Sequence, residues 1–127
     1  MKARNGNVSQ WSWFVRALVA VVVCVSWVSA AMAGVNATGD VDPADPSTWT
    51  PSTDGYIGKT GTGSVTVDLG SDLLFCRASL GYGTAADGTV TVTGPNSTWS
   101  NLDSLLVGYH GSGTLTIEAG GQVSNDD

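Results

Sequence analysis

Apolar and small polar residues alternate in three blocks, Gly63-Ser64-Val65-Thr66-Val67, Gly88-Thr89-Val90-Thr91-Val92 and Gly113-Thr114-Leu115-Thr116-Ile117, which recur with a 25-residue step. Successive side chains of a strand point to opposite faces, so each block predicts a short β-strand whose valines, leucine or isoleucine turn inward. A strand that returns at a fixed interval, with no helical periodicity between copies, predicts strands stacked on one another. Upstream of the blocks stand Ile57-Gly58-Lys59, Leu80-Gly81-Tyr82 and Val107-Gly108-Tyr109, each an apolar residue followed by glycine and a long side chain. Their spacing is uneven, and the loops absorb the difference while the strands keep alignment. A third segment closes the later copies, Thr98-Trp99-Ser100-Asn101 aligning with Gln122-Val123-Ser124-Asn125; the first copy has Leu73-Leu74-Phe75-Cys76 at that point.

The repeat beginning at Thr89 shows the expected path. Val90 and Val92 face inward, Gly94-Pro95-Asn96 makes a corner, Trp99 centres a second strand, residues 101–103 make a second corner, and residues 105–109 form a third strand. Three short parallel strands per coil describe an all-β parallel β-helix, a solenoid of about three coils with neighbouring strands about 4.8 Å apart. Val65, Val90 and Leu115 then form one interior stack, Val67, Val92 and Ile117 another, and Leu80 and Val107 a third. Thr66, Thr91 and Thr116 form an outward hydroxyl ladder, and Asn101 and Asn125 stack at a corner.

The N-terminal third differs in character. Lys2, Arg4 and Arg16 precede an apolar run over residues 18–28, and Ala31-Met32-Ala33 supplies a small-x-small site before Gly34. This is the anatomy of a secretory signal peptide over residues 1–33, and its removal is expected to leave no stable membrane span. Residues 34–55, with Pro43, Pro46 and Pro51 among Asp, Ser and Thr, read as a linker or an irregular N-terminal cap to which Trp49 and Tyr56 contribute. Residues 56–127 hold the repeats, the last of them incomplete. No cap follows Asn125, so the chain is expected to be a fragment of a longer array, its exposed coil ends taking further repeats or self-associating.

Charge narrows the partners. From Gly34 onward Lys59 and Arg77 stand against eleven acidic residues, a formal charge of −9. With no cluster of Lys and Arg, nucleic-acid binding is not expected. Cys76 is the one cysteine left after cleavage, so no internal disulfide forms, and it reads as a small apolar filler.

Candidate chemistry is sparse. Gly58-Lys59-Thr60 lacks the earlier glycine of a phosphate-binding loop, because Thr53 stands there. Gly81 to Ala86 fits a loose dinucleotide fingerprint, but a strand follows where a helix is required. Asp68 and Glu118 hold equivalent positions two repeats apart, a wide carboxylate pair, and His110 lies in a glycine-rich turn. Asp87 and Asp103 lack the glycine-aspartate repeat of a calcium-binding roll. The expectation is therefore no enzyme, no catalytic residue, no cofactor and no metal. Tyr82 and Tyr109 fall on successive repeats, and these are the candidate ligand-binding residues, an aromatic ladder suited to surface glycans or a protein.

The runs GTVTVTGPNSTWSN over residues 88–101 and LLVGYHGSGTLTIEAGGQVSN over residues 105–125 resemble the repeat of autotransporter (type V secretion) passengers and PEP-CTERM-associated exported bacterial proteins. The likeness covers about forty residues and is weaker over residues 57–76. It implies a right-handed parallel β-helix, secreted or held at the bacterial surface or outer membrane, acting as a structural stalk or adhesin-like passenger. The alternative is a β-helix protein that binds or degrades polysaccharide.

Overall fold

A computed structural model of the chain describes residues 34–126. The signal peptide expected over residues 1–33 lies outside the described residues. The strands are β1 (Gly34–Gly39), β2 (Val41–Asp42), β3 (Asp54–Ile57), β4 (Thr62–Asp68), β5 (Asp72–Phe75), β6 (Arg77–Leu80), β7 (Asp87–Thr93), β8 (Thr98–Asn101), β9 (Leu105–Val107), β10 (Ser112–Glu118) and β11 (Gln122–Asn125), with a 3-10 turn at Pro46–Thr48. They form three sheets, ordered β1-β4-β7-β10, β2-β3-β6-β9 and β5-β8-β11.

The all-β expectation agrees with this arrangement, but the right-handed parallel β-helix of about three coils is corrected. No single, uniformly parallel solenoid is formed: the strands divide among three sheets, and two of these are mixed, because β1 runs antiparallel to β4 and β2 antiparallel to β3. The physical reason lies in residues 34–42. Val35 and Ala37 alternate with polar neighbours, so β1 lays an apolar face on the edge of β4 with Val35 opposite Val67 and Ala37 opposite Val65. The segment expected as a linker or cap is thus partly strand, and the first repeat begins at Asp54, two residues before the boundary drawn from composition.

Register follows the repeated blocks. Val65, Val90 and Leu115 are paired across β4, β7 and β10, as are Val67, Val92 and Ile117. Ile57, Leu80 and Val107 are paired across β3, β6 and β9. The third sheet departs from the expected alignment by one residue. Asp72, not Leu73, is opposite Thr98, because four residues turn the corner between β7 and β8 whereas three turn the corner between β4 and β5. The shift turns Leu73 and Phe75 inward with Trp99, and leaves Leu74 outside.

The interior is one apolar cluster in which Ile57, Val65, Val67, Phe75, Leu80, Val90, Val92 and Trp99 are almost wholly buried. Aromatic rings run through it edge to face, Trp49 to Phe75 at 4.8 Å and Phe75 to Trp99 at 5.1 Å between centroids. Trp49 donates its indole N–H to the Pro43 carbonyl at 3.1 Å, which holds the ring over the first repeat. Gly55 makes room for it, since a Cβ there would lie 2.4 Å from the indole.

Burial then falls along the stack. Val92 is fully buried, whereas Ile117, its register partner, is 50% exposed.

Candidate functional site

Three equivalent turns carry the candidate residues. Gly58, Gly81 and Gly108 follow β3, β6 and β9 with φ of +69°, +65° and +72°, a region in which a Cβ is costly. At Gly81 a Cβ would also fall 2.0 Å from the Ser112 carbonyl oxygen. The turns are tied to one another by backbone hydrogen bonds, Gly81 N–H to Ile57 O at 2.9 Å, Tyr82 N–H to Gly58 O at 2.9 Å and Gly108 N–H to Leu80 O at 2.8 Å. Each turn therefore projects the residue after its glycine from the same place: Lys59, then Tyr82, then Tyr109.

The structure brings Tyr82 and Tyr109 together. Their rings stack with centroids 5.5 Å apart and planes 17° from parallel, and both are exposed, at 39% and 48%. Two further rings extend the row. Tyr56, from β3, meets Tyr82 edge to face at 5.1 Å, and His110 packs against Tyr109 at 4.1 Å. Lys59 closes the end of the row with its ammonium 4.8 Å from the centre of the Tyr56 ring, and it also pairs with Asp42. The hydrogen bond that Lys59 donates to the Asp42 carboxylate holds its ammonium above the ordinary pKa, so the cation persists throughout the neutral range.

Sequence reasoning found two members of this row and missed three. Lys59 carried a signal, since it occupies the same place after glycine as the two tyrosines. Tyr56 lay three residues ahead of that place, and His110 one residue behind it, so neither shared the repeat position that drew attention to Tyr82 and Tyr109.

The other candidates do not join the row. The amide N–H groups of Thr60 and Gly61, in the lysine-bearing turn, donate to Asp40 at 2.6 and 2.7 Å; the chain's own carboxylate occupies the place a phosphate would take. Asp103 accepts from Arg77 at 2.7 Å. Asp68 and Glu118 end strands two spacings apart, roughly 10 Å, with Thr93 between them. Cys76 is a free, half-buried thiol between β5 and β6. Among the described residues no three His, Cys, Asp or Glu side chains are grouped to hold a metal ion, and no helix is long and apolar enough to cross a membrane.

The row is thus a flank of exposed rings with a cation at one end. Stacked and edge-on aromatic faces offer apolar contact with polar tips, which suits the C–H faces and hydroxyl rims of sugar rings. Comparison with family models, curated proteins and solved structures found no match to this chain. The likeness to autotransporter and PEP-CTERM-associated repeats accordingly rests on the quoted sequence runs.

Proposed function

We propose that this chain is an exported, adhesin-like structural module that binds surface saccharides through Tyr56, Tyr82, Tyr109 and His110. The observation that carries this reading is the exposed stack of Tyr82 on Tyr109, continued by a ring at either side. The turns beneath it are fixed by backbone bonds, so little ordering of the site opposes binding. Export rests on the basic start, apolar run and small-x-small site within residues 1–33, and a surface or secreted location rests on the same segment together with the repeat resemblance.

Glycan-array screening followed by titration of the best oligosaccharide tests the reading. Tyr109→Ala is expected to weaken binding about tenfold, and the Tyr82→Ala, Tyr109→Ala pair to abolish it. Glycan binding that survives the double substitution overturns the proposal. A polysaccharide cleaved by the chain, with turnover lost on Asp68→Asn or Glu118→Gln, would replace it with the degrading alternative.

A further inference from the structure

Resting on the export reading above, we infer that cleavage between Ala33 and Gly34 creates a partner for Asp68: the new α-ammonium of Gly34 pairs with this carboxylate and fastens β1 to β4. Gly34 is the register partner of Asp68 at the end of the β1–β4 ladder. Further along the same register Asp40 donates its N–H to Thr62 O at 2.8 Å, and hydrogen-bonded pairs recur at every second residue of an antiparallel ladder. Gly34 and Asp68 are therefore a bonded pair too. Their Cα atoms then lie about 5.5 Å apart, which brings the Gly34 nitrogen within reach of the Asp68 side chain.

Asp68 lacks what Asp40, Asp42, Asp72 and Asp103 have. Those carboxylates accept hydrogen bonds from Thr60 and Gly61, from Lys59, from Thr98 and from Arg77, whereas Asp68 is half-buried and its Oδ1, shielded from solvent, has no hydrogen-bond partner. A carboxylate oxygen held away from water without a donor is costly. No basic side chain is left to answer it: from Gly34 onward the sequence holds only Lys59 and Arg77, and these pair with Asp42 and Asp103.

Hydrolysis supplies the missing cation. In the uncleaved chain the Gly34 nitrogen is an amide, and its single N–H is spent on the ladder bond to the Asp68 carbonyl. A leader peptidase adds water across the Ala33–Gly34 bond: Ala33 departs as a carboxylate, taking Lys2, Arg4 and Arg16 with it, and Gly34 keeps the nitrogen together with the proton. An α-amine of pKa about 8 is an ammonium at neutral pH. With three N–H groups in place of one, it keeps the ladder bond and donates to Asp68 Oδ1 as well. Val35 and Ala37 of β1 pack against the core, so processing tightens the cover that this strand lays over the edge of β4.

Expression of the full chain in a bacterial host, with intact mass and urea unfolding of the exported product, tests this. The product is expected to begin at Gly34. Acetylating its α-amine in the unfolded state at about pH 6.5, where the higher pKa of Lys59 protects that side chain, is expected to raise the unfolding constant about tenfold. Asp68→Asn is expected to do the same, and acetylation of the Asp68→Asn product to add nothing further. Glu118→Gln, which alters the equivalent acid two repeats on, leaves the effect of acetylation intact. If Asp68→Asn fails to fold, hydrogen exchange of the unaltered product decides: acetylation speeds exchange of the β1 amides. A chain retained uncleaved in the cytoplasm overturns the export reading and this inference with it. A product that begins at another residue, that is indifferent to acetylation, or in which the losses from acetylation and Asp68→Asn add, leaves export standing and overturns the inference alone.

Discussion

Trp99 donates its indole N–H to the Asn101 side-chain oxygen at 2.7 Å, and both residues are fully buried on the inner face of β8. Two residues apart on one strand, they point the same way, so the asparagine answers the one polar atom that a tryptophan brings into an apolar interior.

Breaking that pair from one side leaves a buried polar group alone. Asn101→Ala is expected to cost about 1–3 kcal/mol, and Trp99→Phe to cost both packing and the bond. The double substitution Trp99→Phe, Asn101→Leu removes both polar partners, so its cost is expected to fall well short of the sum of Asn101→Leu and Trp99→Phe taken singly. Urea unfolding of the four proteins measures the cycle, and simple additivity would show that the hydrogen bond contributes nothing of its own.

Glycines at two kinds of turn separate steric need from backbone need. Gly81 has φ of +65° and a Cβ there meets Ser112 O at 2.0 Å; Gly94 has φ of +89° with its nearest neighbour at 3.7 Å. Gly94→Ala is therefore expected to cost about 1 kcal/mol, from the left-handed backbone alone. Gly81→Ala adds a clash with backbone that cannot move without parting β10 from its neighbours, and is expected to cost at least twice as much. Equal shifts in denaturation midpoint would count against the close approach.

What the sequence made legible was whatever a two-residue alternation encodes. Val65 and Val67, or Val90 and Val92, declare their face by spacing, and their 25-residue return declares their neighbours. The β1 strand was hidden because its alternation rests on only Val35 and Ala37, next to a proline-rich stretch, and its direction depends on the edge it finds. The one-residue shift of β5 was hidden because its cause is a longer corner elsewhere, at residues 94–97. Ring contacts between Tyr56 and Tyr82 lie deeper still: they depend on how two turns sit above one another in space, and no spacing along the chain expresses that.

Acid should reveal the turn that carries Lys59. The Asp40 carboxylate accepts the N–H groups of Thr60 and Gly61, and these bonds hold its pKa below the ordinary 3.8. Asp103 is held low in the same way, first by its hydrogen bond from Arg77 and then by Ser104. A carboxyl group that is more acidic in the folded chain than in the unfolded one contributes its stability in full above the unfolded value. That contribution is lost as pH falls through the lower, folded value, because protonation then removes the anion the donors were bound to. Thermal midpoints are therefore expected to be insensitive to these two groups from neutrality to about pH 5, and to fall beneath about pH 4. Asp40→Asn keeps an acceptor but no charge, so it is expected to lower the midpoint at pH 7 and to converge on the unaltered chain at about pH 2. A gap between the two proteins that stays constant across that range would mean that the charge of Asp40 does not hold the turn.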